Sequence, residues 1–187
     1  MSSHHIVREK QEPALYIHYL GAFDEEYLGQ LLEWSPTLMV NAEVYEKVMS
    51  MGLKVDVVVN PTESQVFQEN TRLISVQRGA LEAVLDFLIE AHYPAVNIID
   101  ENSSLEALAA YIDQINIVIF TATKKSYSVK TGFKVWKPAG SIFYISEGAA
   151  FEVSNLKLEE GEKYRVMNDG FIKFAFAYPY LIISETL

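Results

Sequence analysis

The chain has 187 residues, half of them hydrophobic and 12% aromatic, with 25 acidic residues against 15 basic ones and a formal net charge of −10. That is enough apolar material for one ordinary domain or two small ones, which excludes wholesale disorder. There is no cysteine, so disulfides, thiolate metal sites and cysteine nucleophiles are excluded as well. No apolar run approaches the ~20 residues that span a bilayer, and the opening Met1–Lys10 has no apolar core of the secretory kind. The expectation is a cytoplasmic protein without a membrane partner. The acidic balance, with no basic stripe, speaks against nucleic acid. It leaves a nucleotide open, because local dipoles and metals decide that question.

In chain order, Ala14–Leu20 is an apolar, β-prone run and Asp24–Trp34 is helix-like. Thr37–Val40 reads as a short strand and Ala42–Met51 as a second helix. Val55–Val59, valine broken only by Asp56, has the pattern of a strand buried on both faces of a parallel sheet. Pro61 stops it and opens a loop to Asn70, after which Leu73–Val76 is strand-like. Ala80, Leu81, Val84, Leu85, Leu88 and Ile89 form the stripe of an amphipathic helix. Ala95–Ile99 and Ile115–Phe120 return as strands. Between them, Ser103 with Glu106 has the form of a capping box for a helix to Gln114.

Beyond Ala122 the period changes. Ser126–Lys130, Ser141–Ser146, Phe151–Leu156, Lys163–Met167, Phe171–Ala177 and Tyr180–Ser184 are short strand-like runs separated by glycine turns. The predicted fold is α/β: a mainly parallel sheet flanked by helices over 1–122, then a small antiparallel β-sandwich-like domain over 123–187.

Unaided, the residues name no chemistry. Gly52, Gly79 and Gly132 stand alone, without phosphate-loop spacing. His4 and His5 fall in a terminal tail, His18 within the first strand as a packed or partly exposed residue, and His92 at a helix end. The acidic groups Asp24-Glu25-Glu26, Asp100-Glu101 and Glu159-Glu160 read as solvated turns and helix starts, and Tyr178 and Tyr180 as packing.

Several segments, taken in order, carry a resemblance. They are Ser2–Leu15 with Leu28–Pro36, then Gly52-Leu-Lys-Val-Asp-Val-Val-Val59, then Leu81-Glu82 with Leu85-Asp-Phe-Leu-Ile-Glu90 and Tyr93-Pro-Ala-Val-Asn-Ile98, and Trp136-Lys-Pro-Ala-Gly140. Together they resemble the thiamine pyrophosphokinases, especially the form found in bacteria of the Bacteroides–Cytophaga group. The resemblance implies an α/β catalytic domain, a β-sandwich domain and a homodimer with sites between subunits. It also implies diphosphoryl transfer from ATP to thiamine with magnesium, so that ATP, thiamine or another nucleotide becomes the expected small-molecule ligand.

Position by position, the family's functional residues are mostly replaced. The family's Gly-Asp-x-Asp-Ser, which serves metal and nucleotide, is Asn60, Pro61, Thr62, Glu63 and Ser64 here, leaving Glu63 as the remaining metal-binding candidate. The Asp-Gly after the second strand becomes Ala42, Glu43 and Val44, and the Lys-Thr-Asp before the striped helix becomes Arg78, Gly79 and Ala80. The glycine, arginine and Asp-His of a further motif fall on Ser103, Ser104, Leu105, Glu106, Ala107 and Leu108. The family's strand serine in the β domain falls at Tyr144, and the chain is shortened between Leu158 and Asn168. Glu43, Arg78, Glu82, Ser103 and Ser104 are therefore the candidate cofactor-binding residues of a vestigial cleft, with Asp100 a further carboxylate. Losing one transition-state donor costs roughly 10²–10³ in rate, and several groups are missing together. The expectation is a catalytically degenerate relative, ligand-binding or regulatory; the alternative is a divergent active enzyme.

Overall fold

The computed structural model describes residues 12–77, 79–146 and 149–187. The strands β1 (Ala14–Ile17), β2 (Leu38–Asn41), β3 (Val57–Val59), β4 (Arg72–Ile74), β5 (Ala95–Ile99) and β6 (Asn116–Phe120) pair in parallel, in the order β4-β3-β2-β1-β5-β6. Alternate side chains on each strand point to opposite faces, and here both faces are covered. Leu15, Ile17 and Val40 pack with Leu28 of helix α1 (Glu25–Leu32) and with Tyr45 and Val48 of helix α2 (Tyr45–Ser50). Ala14, Tyr16, Met39 and Ile98 pack with Val84, Leu85 and Leu88 of helix α3 (Ala80–Glu90). Two-sided burial is why β1 and β3 read as apolar runs, while the edge strand β4, with Arg72 and Leu73 exposed, has no such cover.

Local signals set most of the boundaries. β1 stops at Ile17 because the amides of His18 and Tyr19 both turn to the Ile99 carbonyl, at 3.0 and 3.1 Å. Asp56, the break in the valine run, accepts the Leu38 amide at 2.9 Å and ties β3 to β2. Asp24 caps α1 by accepting the Tyr27 amide at 2.8 Å. Asp24→Ala is expected to lower stability by about 1 kcal/mol, read as a shifted urea midpoint at unchanged slope.

One predicted helix is absent. Residues 105–114 form turns with a single 3₁₀ segment, Ala109–Tyr111. From 103 to 114 only Leu105 and Leu108 are buried, too few for the repeating stripe that holds a helix to a sheet. Ser103 does not cap it either: its hydroxyl donates to Asp100, while the Ser104 oxygen accepts the Ala107 amide at 3.4 Å. The second predicted helix starts as a 3₁₀ turn, Ala42–Val44, and becomes α-helical only at Tyr45.

The sheet does not end at residue 122. β7 (Lys124–Val129) pairs antiparallel with β6, and the order continues through β14 (Leu181–Thr186), β9 (Ile142–Ile145) and β12 (Lys163–Val166) to β11 (Leu156–Glu160). A second sheet holds β10 (Phe151–Val153), β13 (Gly170–Phe176) and β8 (Lys134–Lys137). The predicted run Phe151–Leu156 is thus divided between two sheets, at Asn155 with its positive φ of 63°. Phe143, Ile145, Val129 and Ile183 from the large sheet and Ile172 and Phe174 from the small one share a core of their own.

At the rim of that core, Glu185 is a buried carboxylate on β14. Tyr127 Oη donates to it at 2.6 Å, Lys137 forms an ion pair with it, and Lys125 Nζ lies 3.6 Å away. Burial by itself would raise the Glu185 pKa, but the hydrogen bonds from Lys137 and Tyr127 and the two ammonium charges outweigh it, and the net shift is downward. Burial, then the bond to Glu185, holds the Tyr127 phenol well above its ordinary range.

Candidate functional site

In an open parallel sheet, ligands bind beyond the carboxyl ends of the strands, where the strand order reverses. Here the chain leaves β1 toward β2 on one side, and β5 lies against β1 on the other. The last paired residue of β1 is Ile17, opposite Val40 and Ile99. One residue further on, His18, Asn41 and Asp100 lie in one row, on the face that carries Tyr16, Met39 and Ile98 toward α3.

His18 and Asn41 are linked by hydrogen bonding, while Asp100 is held by the turn that follows it. The Glu43 amide donates to Asn41 Oδ1 at 3.2 Å, which leaves the Asn41 amide nitrogen 3.3 Å from His18 Nδ1. Tyr16 Oη lies 2.9 Å from the same nitrogen. Asp100, buried, takes the Ser103 hydroxyl on Oδ2 and the Asn102 amide on Oδ1 at 3.4 Å. Burial first, then the charges of Asp100 and Glu43, holds the Tyr16 phenol well above its ordinary range. Tyr16 therefore keeps its proton on oxygen.

The predicted site residues divide. Glu43 and Ser103 belong to this row or bond to it, and Asp100 lies in it. The loop Asn60, Pro61, Thr62, Glu63 and Ser64 follows β3, two strands from β1, and only Pro61 of the five is even half-buried. It is fastened by Gln65, whose side-chain oxygen accepts the Thr62 amide at 3.2 Å while its nitrogen donates to the Ala42 carbonyl at 3.0 Å. Glu82 folds back over the amino end of α3: a Cβ added at Gly79 would fall 1.8 Å from its Oε2. Ser104 is spent on the turn that follows it. Arg78 lies outside the described residues, as do His4 and His5. On the other face of the carboxyl edge is a cleft of about 530 Å³ lined by Tyr19, Gly21, Val44, Lys47, Glu101 and Ala122. Both of its charged groups are engaged: Lys47 donates to the Gly21 carbonyl at 3.2 Å and Glu101 accepts the Ala122 amide at 2.7 Å.

Tyr16 and Asn41 were not among the predicted residues, and His18, expected as a packed or partly exposed histidine, is half-buried. The available signal was the two-residue alternation placing 16 and 18 on one face at the end of the first strand.

No protein-family model and no curated protein sequence matches the chain. Solved structures do. Thiamine pyrophosphokinase from Bacillus subtilis superposes with a TM-score of 0.70 at 11% identity, over 92% of this chain and 98% of that one. The enzyme from Geobacillus thermodenitrificans gives 0.68 at 12%, over 93% and 97%. Yeast thiamin pyrophosphokinase gives 0.63 at 10%, over 97% and 88%. The chain has the thiamine pyrophosphokinase fold. Coverage this complete on both sides means that the thiamine pyrophosphokinase fold includes the antiparallel half as well as the parallel one.

Proposed function

We propose that this chain is a thiamine pyrophosphokinase-like protein that has kept the scaffold and given up catalysis, acting as a cytoplasmic homodimer that binds a small molecule and regulates through it. The reading rests on one observation, the loop after β3. Where the family has two carboxylates for metal and nucleotide, this chain has Pro61, which has neither carboxylate nor amide hydrogen, and the exposed Glu63. Among the described residues no three His, Asp or Glu side chains are grouped to hold a metal. The nearest buried carboxylate, Asp100, is already taken by Ser103 and Asn102. These donors do not fit a resident magnesium ion, and no step is routed through one. In this reading residues 123–187 are the shortened counterpart of the family's thiamine-binding β domain.

The test is turnover of thiamine and ATP with magnesium, followed as thiamine diphosphate and AMP. The purified chain is expected to give no product above the protein-free control. Product formation lost in Glu63→Ala would establish instead the divergent enzyme. Light scattering tests the assembly: a dimer mass is expected, and a monomer would remove that part of the reading.

A further inference from the structure

β6 and β7 join the two halves of the sheet over only part of their length. Their pairing ends at Val118 with Tyr127. Beyond that point β6 stays with β5 down to Asn116 opposite Ala95, and β7 stays with β14 up to Val129 opposite Leu181. Each strand follows its own half, so the sheet opens into a fork at the amino edge of the parallel strands. A cavity of about 350 Å³ fills the fork, within the range of roughly 300–1,000 Å³ common for small-molecule pockets. This edge lies opposite the one that carries the loop after β3.

The cavity combines apolar walls with charge at its mouth. Ile112 lines it from the parallel half and Phe133 and Tyr180 from the antiparallel half, each half-buried. Asp113, shortly before β6, and Lys130, directly after β7, line it as well, and both are exposed. No ion pair joins them to each other, and among the described residues neither side chain has another partner. The neighbouring side-chain amides donate within the chain, Asn116 to the Pro94 carbonyl at 3.3 Å and Gln114 to that of Ala110 at 3.0 Å. A ligand of one sign would meet one of the two free charges and be repelled by the other. A ligand of both signs satisfies both. Exposed ion pairs contribute little singly, so burial of an apolar body supplies most of the affinity and the charges select the polar end.

We infer that the fork between β6 and β7 binds a free α-amino acid with a large apolar side chain, its ammonium at Asp113, its carboxylate at Lys130 and its side chain against Ile112, Phe133 and Tyr180. Both charges of an α-amino acid sit on one carbon, so a single small molecule spans the mouth while its side chain enters the wedge. A peptide end, with one of the two charges replaced by an amide, does not. The site is at the far edge of the sheet from the vestigial cleft, so it stands whether or not catalysis has been given up.

The experiment uses the whole chain labelled with ¹⁵N. Amide spectra locate binding and calorimetry measures it during titration with L-phenylalanine, L-tryptophan and L-leucine. Three controls each remove one feature: L-alanine the apolar body, N-acetyl-L-phenylalanine the ammonium and L-phenylalaninamide the carboxylate. At least one of the three large amino acids is expected to shift the amides of residues 113–116 and 128–130, and to leave those of the loop after β3 in place. L-alanine should bind at least about tenfold more weakly, and each blocked derivative about fivefold more weakly. Asp113→Asn should weaken L-phenylalanine about fivefold and leave the N-acetyl derivative unchanged, while Lys130→Gln should weaken it equally and leave the amide unchanged. Both variants should keep the wild-type urea midpoint. If either unfolds the chain, the blocked derivatives on the unmodified protein decide. No shift with any of the three, shifts at the loop after β3 instead, or blocked derivatives binding as tightly as L-phenylalanine would each overturn the inference while leaving the loss of catalysis standing. Turnover of thiamine would overturn the loss of catalysis without altering the site in the fork.

Discussion

Glu185→Ala is expected to destabilise the protein by about 3–5 kcal/mol, because removing one partner of a buried ion pair leaves the others desolvated and unpaired. In the structure it would strip the Lys137 and Lys125 ammonium groups of their carboxylate and leave the Tyr127 hydroxyl without an acceptor. Urea unfolding at neutral pH measures it. Glu159→Ala is the contrast: that carboxylate also pairs with two cations, Lys163 and Arg165, but in contact with solvent, and no measurable change in midpoint is expected. Acid should act on Glu185 in the same direction as the mutation. Its pKa in the fold lies below the ordinary carboxylate range, so the stability it contributes is present above the unfolded value of about 4.3 and is lost as pH falls through the lower folded value. Equal stability of wild type and Glu185→Ala at pH 7 would show that the cluster contributes nothing.

Phe174→Ala should cost a similar amount, about 3–5 kcal/mol, by opening a cavity in the core between the two sheets of the antiparallel half. Phe174 is fully buried and its ring meets those of Phe133, Phe143 and Phe151, with centroids 6.2, 6.2 and 6.3 Å away. The more informative readout is which amides lose protection from hydrogen exchange. β6 and β7 pair residue by residue, Val118 with Tyr127 and Phe120 with Lys125, so the parallel half is hydrogen-bonded to the half that is being weakened. The expectation is one cooperative transition, with β1 and β5 exposed at the same urea concentration as β9 and β14. Two separated transitions would mean that residues 123–187 unfold as a unit by themselves.

How much could be read from the sequence depended on how local each signal was. The parallel strands were legible because strands buried on both faces are apolar runs, and α3 because Val84, Leu85 and Leu88 repeat at helical spacing on its buried face. β8 was missed because it has no apolar side of that kind: Lys134 and Trp136 alternate outward, and Trp136 is 53% exposed. The turn region after Ser103 was misread because a serine with glutamate three residues on looks alike whether the hydroxyl caps a helix or, as here, serves Asp100. The exposed loop at Pro61 was legible as a loop because proline ends the strand before it. The row of His18, Asn41 and Asp100 was not, since only the register of three parallel strands brings those residues together, and register across a crossover leaves no mark on the local sequence.

The strand order also has a consequence for the making of the protein. β14 follows β8 to β13 in the chain, yet it is inserted between β7 and β9 and pairs with both. Until Leu181–Thr186 have left the ribosome, β7 and β9 each face an empty lane, and β9, β12 and β11 have no hydrogen-bonded route to the rest of the sheet. A nascent chain halted at residue 180 would hold a parallel half extended only by β7, with the three strands β9, β12 and β11 unpaired to it. The strand Leu181–Thr186 thus works as a keystone, and the antiparallel half closes only once that strand is in place.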